Sequence, residues 1–195
     1  MKYIFKSIPI GALCSLALIS CTQGKRIEEQ IIRMSQRTIL INTDSMLVCN
    51  VSVPPQNLLD SCSLKMIVWA DTSECSQCYV RQLELWKGYS KLESKNPTGI
   101  KFYYILETQG KQIADILNQI QSTQLDHSIF IDTAQYFRRD NPNIPKDVRF
   151  HSFLLNSDNK IILVGNPIKN SKVQILFNKI LYENLGINVS NDGCL

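Results

Sequence analysis

Hydrophobic residues recur along the chain with changing periods, and each period predicts an element. Ile8 to Ile19 is nearly continuous in apolar residues, broken by Pro9, Gly11, Cys14 and Ser15. Thr22 to about Gln36 is polar, with Ile27, Ile31, Ile32 and Met34 set into it. That pattern fits a tether or a short helix lying on the domain. Thr38–Ile41 and Met46–Val51 read as two strands around Asn42-Thr43-Asp44, an expected edge hairpin that ends before Pro54-Pro55. Leu64–Ala70 is short and nearly all apolar, as in a strand buried on both faces. After Cys75 the period becomes helical, with Tyr79, Leu83, Trp86 and Tyr89 spaced by three or four residues. Strands follow at Ile100–Leu106 and Ser128–Ile131, with a helix over Lys111–Gln121 between them. Thr133–Asp140 reads as short and helical or irregular. Phe150–Leu155 and Lys160–Val164 flank the turn Asn156-Ser157-Asp158-Asn159 and form a hairpin. Val173–Leu185 closes the chain as a helix whose apolar stripe includes Leu176, Phe177, Ile180 and Leu181. The resulting order, β-α-β-α-β-(α)-β-β-α, predicts an α/β fold with parallel strands and an added antiparallel pair.

The first block is too short for a membrane span and has the length of a signal core. Lys2 and Lys6 stand before it, and Leu18-Ile19-Ser20-Cys21 ends it. This end resembles the bacterial lipobox. The resemblance implies cleavage before Cys21 and lipidation of that residue, with membrane attachment through its acyl chains. Residues 1–20 are then a signal peptide and 21–36 a lipid-anchored tether. Residues 37–63 form an N-terminal β extension, 64–188 the main domain and 189–195 a tail. Removing residues 1–20 takes away two of 21 basic residues and leaves 19 against 17 acidic ones, a net charge of about +2. So weak a charge gives no footprint for nucleic acid. The pair Arg138-Arg139 reads as a solvated loop face. The hydrophobic share of 44% is ordinary for a globular domain.

Seven cysteines occur. Cys14 leaves with the signal and Cys21 takes lipid, so Cys49, Cys62, Cys75, Cys78 and Cys194 remain. An exported chain meets an oxidising compartment in which thiols tend to pair. Cys75 and Cys78 form a CxxC at the expected start of a helix. Unpaired N–H groups there favour a thiolate, so Cys75 is the candidate nucleophile and Cys78 the resolving thiol. Glu74 opposes this, because a nearby carboxylate raises a thiol pKa. Ser76 is placed to donate a hydrogen bond to the thiolate. Cys49 and Cys62 bracket the Pro54-Pro55 loop, as a structural disulfide or as two buried cysteines. Together the four cysteines lack the second short pair of a zinc ribbon, so no metal site is expected. Nor is any cofactor.

Val68-Trp69-Ala70 leading to Cys75-Ser76-Gln77-Cys78, and Phe153-Leu154-Leu155-Asn156-Ser157-Asp158-Asn159-Lys160-Ile161, resemble blocks of membrane-anchored, thioredoxin-like thiol-disulfide oxidoreductases of the TlpA type. The resemblance spans about residues 60–185. It implies a thioredoxin-like fold, a central mixed sheet flanked by helices, with the N-terminal β extension added. It also implies redox-active Cys75 and Cys78, exported protein thiols or disulfides as partners, and a membrane electron donor. The implied place is the cell envelope, lipid-anchored on the periplasmic side of the outer membrane. The chain departs from the family in four places. The loop from Ala70 to Cys75 is about two residues longer than the family's usual one. Glu74 replaces the usual Trp before the first Cys. Ser-Gln replaces the usual dipeptide between the cysteines. Phe150 or His151 stands where the family has its cis-Pro, and a trans bond is expected there. His151 beside the pair would tune it or shuttle a proton. The competing reading is a binding or scaffold lipoprotein whose pair is not turned over.

Overall fold

The computed structural model describes residues 24–49, 62–108, 112–122 and 128–189. The expected signal peptide, the lipidation site Cys21, Cys14, the Pro54-Pro55 loop, His127 and Cys194 lie outside the described residues. Six strands form one sheet: β1 (Leu47–Cys49), β2 (Leu64–Ala70), β3 (Ile100–Glu107), β4 (Ile129–Asp132), β5 (Ser152–Asn156) and β6 (Ile161–Val164). Their order is β1-β4-β3-β2-β5-β6. β2, β3 and β4 run parallel, while β5, β6 and β1 are antiparallel to their neighbours. The predicted alternation of strand and helix is borne out along this core.

β2 is central, and every residue of it is buried. That accounts for its unbroken apolar character, since water reaches neither face. Its one charge, Lys65, sends Nζ to Asn159 Oδ1 at 2.6 Å and to the Ser157 carbonyl. The cation thereby fixes the β5–β6 turn, where Asn159 takes φ 58°.

Helices α2 (Ser76–Leu83), α3 (Lys87–Lys95), α4 (Gln112–Ser122) and α6 (Ser171–Leu185) cover one face. A 3-10 turn at Glu84–Trp86 joins α2 to α3. The predicted stripe holds: Tyr79, Leu83, Trp86 and Tyr89 are all buried there. α6 differs from expectation in one residue. Phe177 and Leu181 are buried, but Leu176 is 50% exposed. One residue is 100° of rotation on an α-helix, so Leu176 cannot share the face centred on its neighbour. Gly186 ends α6 in the left-handed region at φ 66°, the conformation a helix stop favours.

The other face is covered by α1 (residues 24–35), the segment 38–46, α5 (Tyr136–Asp140) and the loop after α5. The 21–36 segment is thus largely the helix of the two alternatives, with Ile27, Ile31 and Met34 turned to the core. The expected N-terminal hairpin does not form. Among the described residues of this extension only Leu47–Cys49 is a strand, paired with β4. Residues 38–41 belong to no strand and bond elsewhere. Ile39 N–H donates to the Asn159 carbonyl, and the Asn141 side chain both accepts from Leu40 N–H and donates to its carbonyl. A side-chain amide has replaced the neighbouring strand.

Candidate active site

Cys75 caps α2. Its backbone is extended (φ −70°, ψ 107°), and its sulfur accepts from the Cys78 N–H at 3.2 Å. Three residues of helix bring the two Cα atoms to 5.2 Å, and the sulfurs are joined as a disulfide. Cys75 is exposed and Cys78 half-buried. The outer sulfur can therefore meet a partner while the inner one is sheltered. The Arg81 guanidinium lies 3.9 Å from Cys78 Sγ, one turn along the helix. Among the described residues the donor to Cys75 is this backbone N–H and not the Ser76 hydroxyl.

The loop before the pair is a tight turn, closed by Glu74 N–H to the Asp71 carbonyl and by Ser73 N–H and Oγ to Asp71 Oδ1. Asp71 is itself held from another element. Arg138, on α5, pairs with Asp71 and with Glu107 at the end of β3. Glu107 also accepts from Trp69 Nε1 at 3.1 Å, and the Arg138 guanidinium stacks over the Trp69 ring at 4.9 Å. Arg138 is therefore not the solvated loop residue expected from sequence; its side chain is 28% exposed and anchors two buried acids. Burial pushes Asp71 up, but hydrogen bonds from Ser73 and Arg138 outweigh it and leave the carboxyl below the usual range. Burial dominates at Glu107 and raises its carboxyl, Arg138 offsetting only part.

His151 occupies the residue just before β5, and its carbonyl accepts from Trp69 N–H. Phe150 is a buried core side chain on the second face. No peptide bond among the described residues is cis. The His151 ring packs on Trp69 at 4.2 Å between centroids. Its Nδ1 lies 3.1 Å from Glu74 Oε1, and its Nε2 lies 3.1 Å from the Pro145 carbonyl. A carbonyl only accepts, so Nε2 carries a proton. The imidazole and the Glu74 carboxyl thus meet one residue from Cys75.

A cavity of about 350 Å³ opens beside the loop. Trp86, Leu83 and Val173 supply its apolar wall; Glu74, His151 and Lys169 supply its polar groups. Gly165 lines it at φ +123°, and a Cβ there would meet Val173 at 2.9 Å.

Cys49 and Cys62 do not bridge; both are thiols. Cys49 is on β1, and Cys62 precedes β2. Three strand spacings separate those strands, roughly 14 Å, against a Cα limit of about 7 Å for a disulfide. Cys62 Sγ instead donates to the Pro97 carbonyl. Burial raises both thiols above the ordinary cysteine range.

The CxxC caps the first helix of a parallel β-α-β unit, and a β-β-α unit adds antiparallel strands on the far side of the same central strand. The fold is thioredoxin-like. No protein-family model and no curated protein sequence matches the chain. Solved structures do. One is an uncharacterized thioredoxin-like protein from Porphyromonas gingivalis, with a TM-score of 0.46 and 14% identity over 76% of this chain and 94% of that one. Another is a candidate thiol-disulfide oxidoreductase from Bacteroides vulgatus, at 0.42 and 21%, covering 64% of this chain and 78% of that one. A third is a candidate thiol:disulfide interchange protein DsbE from Chlorobium tepidum, at 0.41 and 15%, covering 63% and 80%. Likeness at this level bears on neither activity nor substrate.

Proposed function

We propose that the protein is a thiol-disulfide oxidoreductase of the cell envelope, lipid-anchored through Cys21 and acting on exported proteins. One observation carries this reading: an exposed Cys75 caps α2 within bonding distance of a sheltered Cys78. A disulfide across so short a loop restricts the unfolded chain little, so it makes a poor staple. In the reduced protein, Cys75 thiolate attacks a substrate disulfide. A Cys75–substrate bond forms, and one substrate thiolate leaves. Cys78 thiolate then attacks Cys75 Sγ and releases the second substrate sulfur. Two electrons pass to the substrate, and the protein ends as the Cys75–Cys78 disulfide. A dithiol donor, taken here to be a membrane partner, must reduce it again.

The surroundings support each step. Backbone N–H donation and the start of α2 favour a Cys75 thiolate. Arg81 does the same for Cys78. The His151 imidazole and the Glu74 carboxyl stand together beside the loop that presents Cys75. The proposed location is the periplasmic side of the outer membrane; no helix among the described residues is long and apolar enough to cross a membrane. The test is the reduction potential of the pair, by equilibration in thiol buffers with mass-shift alkylation. A two-electron transition within about −120 to −270 mV is expected, the span of known exchange proteins. Cys75→Ser must abolish reduction of protein disulfides, and Cys78→Ser must trap a mixed disulfide at Cys75. A pair that exchanges with no thiol buffer ends the proposal. Incorporation of labelled palmitate, lost in Cys21→Ser, tests the anchor separately.

A further inference from the structure

A second groove, of about 540 Å³, lies on the face opposite α2, between α1 and the loop after α5. Arg33 and Arg37 line it with Gln30 and Gln36 on one wall; Pro142, Asn143, Ile144 and Pro145 form the other. Both arginines are exposed. Neither makes an ion pair with any described residue. Arg26 precedes Arg33 by two turns, on the same side of α1. Glu28 and Glu29 share the helix but line no part of the groove. On the facing loop Lys146 is exposed, while Asp140 and Asp147 are paired with Arg139 and Arg149. The groove is thus a concave, hydrogen-bonding surface with net positive charge. Guanidinium forks of this kind match the oxygens of a phosphate.

We infer that this groove seats the phosphate of an anionic phospholipid headgroup and lays the domain flat on its own membrane. The inference rests on the lipid anchor proposed above. Gly24, where α1 begins, lies three residues after Cys21, a reach of roughly 11 Å. Arg33 lies nine residues further along the helix, about 14 Å at the rise of an α-helix. The anchored end of α1 is therefore close to the bilayer, and a helix lying along it brings Arg26 and Arg33, and Arg37 in the turn that follows, to the headgroups. Juxtamembrane arginines are attracted to anionic lipid over such distances. The seat also bears on the redox pair. Pro145, on the far wall, accepts from His151, which holds Glu74 beside Cys75. Docking would keep that loop near the surface, where a membrane-bound donor would be met.

The test uses the full chain, processed in a Gram-negative host and reconstituted on vesicles of phosphatidylcholine alone or mixed equally with phosphatidylglycerol. Flotation with phosphatidylcholine vesicles reads the anchor by itself. Hydrogen–deuterium exchange over residues 24–37 and 142–145 reads the groove. Exchange there is expected to slow only on phosphatidylglycerol. The Arg33→Gln/Arg37→Gln variant and high salt should each remove that slowing while flotation persists. A chain without lipid would fail to float on phosphatidylcholine yet still show slowing on phosphatidylglycerol, which would overturn the anchor and spare the groove. Equal exchange on both lipids, in protein that floats, would overturn the groove.

Discussion

The two faces of the sheet are buried by different chemistry. Behind α2, α3, α4 and α6 the contacts are almost wholly hydrocarbon and aromatic, with Trp86, Tyr89, Phe102 and Phe177 in mutual ring contact. Behind α1 and α5 the apolar cluster carries buried ions and amides at its margin: Lys65, Asp71, Glu107, Asn141 and His151. Apolar packing is non-directional and tolerates small shifts. A buried ion demands a partner at a fixed distance. The first face therefore holds the fold together, and the second fixes the position of the loop that presents Cys75.

That division can be broken from either side. The largest effect is expected from Phe177→Ala, which empties a fully buried site on the hydrocarbon face and should cost about 3–5 kcal/mol in urea unfolding. The Cys75–Cys78 potential should stay unchanged in the folded fraction; a shifted potential would show that the faces are not separate. Arg138→Gln is expected to cost about 2–3 kcal/mol, the low end for breaking a buried pair, since the guanidinium keeps some exposure. Unlike the first variant, it should also change the rate at which Cys75 is alkylated after reduction. Gly165→Ala should cost about 1–3 kcal/mol, from φ strain and the Val173 contact, read as a lower melting midpoint.

The smallest effect separates the two acids on Arg138. Glu107 has a raised carboxyl, so the folded protein holds that proton more tightly than the unfolded chain. Its contribution is present at low pH and is lost as pH rises through the folded value. Asp71 is lowered, so its contribution is present above the usual carboxylate range and is lost as pH falls through the folded value. Glu107→Gln keeps an acceptor for Trp69 and removes only the first dependence. Its stability relative to the native protein should rise as pH climbs through and above the usual carboxylate range, read in urea titrations. A parallel profile would show that Glu107 titrates normally.

Much of the hydrocarbon face was legible in the sequence, because helical and strand periods declare themselves within a dozen residues. Leu64–Ala70 and the stripe from Tyr79 to Tyr89 needed no partner to be read. The site was half legible. CxxC at a helix start is local; the start of β5 was not, since the strand expected from Phe150 begins at Ser152, after a 3-10 turn over Val148–Phe150. The Asp71–Arg138–Glu107 set is not, since its members are brought together only by parallel strand pairing. A signal was nonetheless present: Asp71 follows β2, Glu107 ends β3 and Asp132 ends β4, so each parallel strand finishes at an acid. Asp132 is satisfied by capping α5, accepting from the Tyr136 and Phe137 N–H groups. The other two share one cation, Arg138. The missing hairpin has a similar cause. Thr38–Ile41 has strand composition, but Asn141 and the Asn159 carbonyl offer its backbone partners that no local pattern records.

The Asn141 amide grips Leu40 by both its N–H and its carbonyl, so a contact between residues a hundred apart in sequence behaves as a mechanical fastening. A pull on the N-terminal end would load α1, then the Leu40–Asn141 clasp, then α5. The Cys75 loop stands off that line of force, behind Arg138. Tension could strip α1 from the domain before it disturbed the spacing of the two sulfurs.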